Sequence, residues 1–206
     1  YAPNTTQGLN KGGNSAENLV DAAGNVLISV EQFSGHESVA MKANNQSNGS
    51  GHVSNSITAD GDVTLQVNKP DDGATQVAGM HAETWFAKDH GIASNSIEAG
   101  GTARIDVKGG QGADVYGMYA LNEATNTVKA GSIEINASGQ GYVAGMQSSA
   151  KDSTTGNNWW TTGGKNILES SNITIKAESS GGEAYAIATG KRGETIIKGL
   201  DDKENT

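Results

Sequence analysis

The chain has 206 residues, enough for one domain with a sizeable core, and 29 of them are glycine. Its net charge is −9 and its only arginines are Arg104 and Arg192, which argues against binding to nucleic acids or anionic membranes. The absence of cysteine excludes disulfides, thiolate metal sites and a cysteine nucleophile, and no apolar run approaches the roughly 18 residues of a membrane span.

The first element that recurs along the chain is a short apolar phrase that begins with asparagine. Its copies are 31 to 40 residues apart and start at Asn18, Asn55, Asn95, Asn126 and Asn166. Side-chain amides at one corner of successive coils can hydrogen-bond along the stack, and asparagine tolerates the turn conformation there. The spacing therefore predicts an asparagine ladder at one corner of a repeating fold.

The second element alternates apolar and polar residues. Its copies are "VLISV" from Val26, "VTLQV" from Val63, "ARIDV" from Ala103, "IEINA" from Ile133 and "ITIKA" from Ile173. A period of two is typical of a β-strand with one buried and one solvated face. Arg104 and Glu134 take the same outward place in adjacent copies, which predicts an exposed cross-strand ion pair.

The third element contains every methionine of the chain, at the fourth place of phrases such as "VAGMHA" (77–82). The fourth place holds Met41, Met80, Met118, Met146 and Ile187, and the fifth holds Lys42, His81, Tyr119, Gln147 and Ala188. Because the fifth place is mostly polar, we expect it to face water, and the methionines to face the core. His81 is accordingly interpreted as a surface histidine. The small residue at the third place predicts a tight bend or a close backbone approach.

These three elements predict an all-β solenoid with three strands per coil, about five coils and variable loops at one corner. Each strand has one buried face, so a coil closes into a triangle, and coils stack as parallel strands about 4.8 Å apart. We assign 18–199 to the repeats, 1–17 to an N-terminal edge or cap and 200–206 to a C-terminal tail. The repeats start near 18, 55, 95, 126 and 166, and a partial copy starts at 194.

The variable loops provide the candidate ligand site. All three tryptophans lie in two of these loops, at 83–94 and 149–165, on either side of a short loop. They could form the walls of a shallow cleft for a sugar ring or a peptide, with Tyr119 and Leu121 as its floor. The candidate ligand-binding residues are Trp85, Phe86, Tyr119, Trp159 and Trp160. The alternative is that these aromatic side chains only pack the loops against the coil.

No pattern indicates catalysis or a cofactor. The four histidines lack the spacing of metal ligands, and no catalytic constellation is found. The acidic stretches at 60–62 and 70–73 could attract calcium, but they lack the regular calcium-binding repeat, and solvated turn carboxylates are the alternative. We therefore expect no enzyme activity, no metal and no cofactor.

The repeats resemble the passenger domains of Gram-negative (type V) autotransporter adhesins. The units that carry the resemblance are "NSIEAGGTARIDVKGGQGADVYGMYA" (95–120) and "NTVKAGSIEINASGQGYVAGMQS" (126–148), and it extends over 18–199. The resemblance implies a right-handed parallel β-helix, a cell-surface or secreted location and adhesive function. It also leads us to expect a mature protein or an excised piece of a longer passenger. The G-x-S-x-G motif of the protease branch does not occur.

The functional expectation is an adhesin whose loops bind a glycan or protein of host or neighbouring cells, with self-association possible. The main alternative is a polysaccharide lyase or hydrolase, because β-helices also carry such enzymes. Such a site needs clustered carboxylates with Arg or Lys over one groove, whereas the outward columns here mix Thr, Gln, Asn and single charges. A passive spacer is the third hypothesis.

Overall fold

The computed structural model describes residues 15–32, 35–45, 52–70, 73, 75–84, 92–121, 124–148, 164–190 and 193–200. Within these ranges the chain forms fourteen β-strands, and no helix is long or apolar enough to span a membrane. Most of the predicted N-terminal cap and C-terminal tail lie outside the described residues.

The strands fall into three rows. The first row contains β1 (Ala16–Ala22), β4 (His52–Ala59), the first part of β7 (Ile92–Gly109), the first part of β9 (Thr125–Gly139), β11 (Lys165–Glu169) and β14 (Glu194–Lys198). The second row contains β2 (Val26–Glu31), β5 (Val63–Lys69), the later parts of β7 and β9, and β12 (Asn172–Ser179). Since β7 and β9 run through both rows, these rows form one nine-stranded sheet. The third row is a five-stranded sheet of β3 (Glu37–Asn45), β6 (Gln76–Thr84), β8 (Asp114–Leu121), β10 (Val143–Ser148) and β13 (Ala184–Thr189).

The chain visits the three rows in the same order in each coil, and every strand pairs in parallel with its counterpart in the next coil. About four turns separate β1 from β11, and β14 opens a further coil. The protein is therefore a right-handed parallel β-helix, and the predicted fold class is confirmed. A single coil could not bury its apolar side chains, and stacking of the coils buries them in a continuous core.

The strand register follows the repeats read from the sequence. In the third row, Met80 pairs with Met41 on one side and Met118 on the other, and Met146 continues the column to Ile187. All four methionines are buried in the main apolar core, and Ile187 packs against it. The prediction that the methionines face inward is confirmed. Flexible thioether side chains can fill a narrow interior whose neighbours differ from coil to coil.

A close approach between coils requires the glycine before Met80, Met118 and Met146. A Cβ atom added to Gly79 would lie 2.6 Å from the carbonyl oxygen of Gly117 and 2.8 Å from Cγ2 of Ile105. Both distances are shorter than the non-bonded contacts that a Cβ atom can make. The predicted close backbone approach is confirmed at this position.

The asparagine ladder is also confirmed. The side-chain Nδ2 of each asparagine donates to Oδ1 of the next one, with N···O distances of 2.7, 2.8, 2.9 and 3.0 Å from Asn18 to Asn166. Each Nδ2 also donates to a backbone carbonyl of the third row, as Asn55 does to His81 at 2.8 Å and Asn95 to Tyr119 at 2.7 Å. The asparagines lie inside first-row strands rather than in turns. The ladder thus links the first and third rows in each coil.

The outer faces of the first two rows are solvated. Arg104 in β7 forms the predicted ion pair with Glu134 in β9, and its side chain is 45% exposed. Lys129 and Glu98 form a second exposed pair at 2.9 Å. Alternation along these strands gives the expected result at most positions, with apolar residues inside and polar residues in water. The exceptions include Leu27 and Ile197, which are exposed, and Lys69, which is buried.

Candidate functional site

The outer side of the third row differs from the other two outer sides because, from β3 to β10, most of its residues are buried or half-buried. His81 is 1% exposed and Gln147 is 2% exposed, although each follows an inward-facing methionine. Tyr119 and Lys42 are half-buried. The prediction that the fifth place faces water, and with it the surface assignment of His81, is wrong. Alternation decides on which side of a strand a residue lies, but here aromatic rings from successive coils pack over that side and exclude water.

A continuous row of rings follows this surface. His81 lies against Tyr119 with ring centroids 4.9 Å apart, and Tyr119 stacks on Tyr116 at 4.5 Å with an interplanar angle of 16°. The row continues to Tyr142 at 5.9 Å and to Tyr185 at a further 5.7 Å. These separations are typical of favourable aromatic pairs. We call the outer side of the third row, defined by these five residues, the aromatic face.

Exposure of the rings increases toward the last coil. Tyr116 is 3% exposed and Tyr142 is 8% exposed, whereas Tyr185 is 43% exposed. Tyr119 is half-buried. The exposure of Tyr185 reflects its place in β13, the last strand of the third row, whose other residues are also exposed or half-buried. Tyr119 is the ring between other coils that keeps partial access to solvent.

The phenol groups of Tyr116, Tyr119 and Tyr142 stay neutral over the physiological range. Burial raises the pKa of Tyr142 to about 12, with smaller contributions from Tyr185 and nearby carboxylates. Burial also raises the pKa of Tyr116 and of Tyr119 above the ordinary value, and neighbouring acidic groups such as Asp114 act in the same direction. Neutral phenols can donate hydrogen bonds and can stack against uncharged rings.

A cluster of charges lies at the end of the aromatic face that belongs to the first two coils. Nδ1 of His81 lies 3.4 Å from Oε1 of Glu37, and Nε2 lies 3.3 Å from Oε2 of Glu83. Neither contact has the geometry of a hydrogen bond, and each is an ion pair when the His81 ring is protonated. Nζ of Lys42 donates to both carboxylate oxygens of Glu37 at 2.6 Å. We call these four residues the charged cluster.

Opposite charges in the cluster outweigh the effect of burial on its pKa values. Burial would raise the pKa of Glu37, but contacts with His81 and Lys42 lower it from the usual 4.5 to about 2. Burial would lower the pKa of His81, but the carboxylates of Glu37 and Glu83 raise it, and the net pKa lies above the usual 6.5.

The residues predicted for the ligand site are only partly described. Tyr119 lies on the aromatic face, and Leu121 is partly buried at the end of the same strand. Trp85, Phe86, Trp159 and Trp160 lie outside the described residues, so the proposed cleft stays a prediction.

Sequence reasoning missed the charged cluster. The signal that could have found it is the alignment of repeats, which pairs Lys42 with His81 and places Glu83 two residues after the histidine. The alignment of repeats does not show that these side chains are buried, and it is burial that brings their charges into strong contact.

Within the described ranges, no group of three or more His, Cys, Asp or Glu side chains could hold a metal ion. Asp62, from one of the two acidic stretches, accepts a hydrogen bond from the backbone N–H of Thr102 at 2.7 Å through Oδ1. In the other stretch, Asp71 and Asp72 lie outside the described residues.

No family model matches the chain, and neither a curated protein nor a solved structure matches it significantly.

Proposed function

We propose that the chain is a non-enzymatic adhesin, a rigid β-helix that binds a glycan or protein of host or neighbouring cells. The observation that carries the proposal is the aromatic face, where four tyrosine rings and one imidazole form a continuous row. Tyr119 and Tyr185 retain exposed surface on which a sugar ring or an apolar side chain can stack.

Two segments that follow third-row strands in the sequence carry further aromatic residues. Trp85 and Phe86 directly follow Thr84, the last residue of β6, and Trp159 and Trp160 lie in the segment between β10 and β11. Both segments therefore leave the third row, which carries the aromatic face. Loops on a rigid scaffold commonly carry binding residues, since they vary without disturbing the core.

The resemblance of 95–120 and 126–148 to autotransporter passenger repeats supplies the cellular setting of the proposal. We propose display on the surface of a Gram-negative bacterium, or release from it, with another copy of the chain as a further possible partner. The acidic composition is consistent with an extracellular surface that avoids nucleic acids.

A glycan array and a cell-binding assay test the proposal. Tyr185→Ala should weaken binding roughly 2- to 12-fold, since one aromatic contact contributes about 0.5–1.5 kcal/mol. Trp159→Ala/Trp160→Ala removes two rings and should weaken it roughly 5- to 140-fold. The melting temperature should change little, because Tyr185 is already 43% exposed. Thr174→Ala is the matched control, since Thr174 is exposed on the second row of the same coil.

Other outcomes would favour the alternatives. Binding that is unchanged in both aromatic variants would contradict the proposed site. A protein that binds no glycan, cell or matrix protein would favour the spacer. Release of reducing ends or unsaturated products from a polysaccharide, lost when a carboxylate is neutralised, would favour the lyase or hydrolase.

A further inference from the structure

His81 is a buried histidine with a carboxylate at each ring nitrogen. Glu37, from β3 in the first coil, faces Nδ1, while Glu83, from the same strand as the histidine, faces Nε2. A neutral imidazole has one N–H group and one lone pair, so one of its nitrogens would direct a lone pair at a carboxylate oxygen. Only the imidazolium, with a proton on each nitrogen, complements both carboxylates.

The charge balance of the cluster leads to the same state. Glu37 and Glu83 carry two negative charges, and Lys42 compensates one of them. Tyr119, which faces the imidazole from β8, is a neutral phenol. With His81 protonated the cluster is neutral, whereas with His81 neutral it keeps one negative charge in a largely buried place, which is unfavourable.

We propose that His81 is a proton-operated clasp between the first two coils: the imidazolium holds the Glu37 carboxylate of β3 against β6, and loss of one proton releases it. The clasp is independent of what the aromatic face binds. Lys42 in β3 lies opposite His81 in the register with β6. Release of the Glu37 carboxylate therefore weakens the contact between these two paired strands.

The direction of the pH dependence follows from the two shifted pKa values. The pKa of His81 is raised above 6.5, so its contribution to stability is complete below 6.5 and is lost as the pH rises through the folded pKa. The pKa of Glu37 is lowered from 4.5 to about 2, so its contribution is complete above 4.5 and is lost as the pH falls toward 2. The clasp is therefore strongest between pH 4.5 and 6.5.

NMR of the histidine rings tests the protonation state directly. We expect His81 to carry protons on both nitrogens at pH 6 and to titrate above 6.5. His36 and His52, which are exposed, serve as references in the same spectra. A neutral His81 ring at pH 6, or a titration midpoint at or below 6.5, would overturn the proposal.

Hydrogen exchange tests the clasp itself. We compare amide exchange at pH 6 with exchange at a pH above the folded pKa of His81. At the higher pH the amides of β3 should exchange at least about tenfold faster, after correction for intrinsic rates. His81→Gln should remove this change, and His52→Gln should keep it. An unchanged pH response in His81→Gln would contradict the clasp. If that variant does not fold, Glu37→Gln provides the readout: it should lower the titration midpoint of His81, and an unshifted midpoint would contradict the proposal.

Discussion

Two outward pairs in this β-helix have the same sequence pattern and opposite environments. Arg104 and Asp106 in the second row, and His81 and Glu83 in the third, each place a basic and an acidic residue two positions apart on the outer side of a strand. The Arg104 side chain is 45% exposed, while that of His81 is 2% exposed. Each also contacts a carboxylate of an adjacent coil. The local sequence pattern does not show how much water reaches each pair. Because water reaches Arg104 and Asp106, they form a weak surface pair, whereas His81 and Glu83 belong to a cluster from which water is excluded.

The difference arises from the neighbours of each pair. Around Arg104 the outward columns hold short polar and charged side chains, which leave the surface in water. Next to His81 the column continues with Tyr119, which stacks on Tyr116, and these rings cover the outer side of the sheet. Opposite charges interact weakly in water and much more strongly where water is excluded. The same residue types therefore have different energetic weight on the two faces.

The largest expected effect comes from the ladder that supports both faces. Asn95→Ala removes the bonds to Tyr119 O and Asn126 Oδ1, and it takes away one of the two acceptors of the Asn55 amide, which keeps its bond to His81 O. At about 1–3 kcal/mol for each buried polar group left unpaired, we expect a loss of roughly 3–5 kcal/mol in urea unfolding. Ser96→Ala, at the half-buried outward position next to it, should cost far less. Similar stabilities for the two variants would show that the ladder is not a major support.

A smaller effect should separate the two faces. Tyr116→Ala removes a ring that is 3% exposed, so it should cost about 3 kcal/mol or more, as large-to-small changes in a core do. Arg104→Ala, in the same coil but on the second row, should cost no more than about 1 kcal/mol. Thermal or urea unfolding of the two variants gives the comparison. Equal losses would mean that the aromatic face is no better packed than the solvated one.

The smallest effect concerns the surface pair alone. Glu134→Gln should destabilise the protein by about 0–1 kcal/mol at low salt, and the difference from the wild type should vanish near 1 M salt. The pKa of His81, measured by NMR, should change much less over the same salt range because its partners are largely buried. A His81 pKa that falls to its usual value in high salt would indicate that the cluster is open to solvent.

The sequence predicted most of the scaffold. The asparagines, the alternating phrases and the methionines recur in a constant order, and each repeat matches one coil in strand register. Period two also predicted which of Met118 and Tyr119 faces the core. These features depend on local geometry and on the need of each coil to cover its apolar side, so they can be read without knowledge of distant neighbours.

What the sequence by itself determined, then, is the β-helix, its register, the inward methionines and the asparagine ladder, because repeated local patterns specify them. Only the tertiary structure decided that the outer side of the third row is buried and that His81 lies between Glu37 and Glu83. That outcome depends on side chains brought together from successive coils. Whether an outward residue meets water or another ring is a property of the assembled stack, which alternation along a single strand does not record.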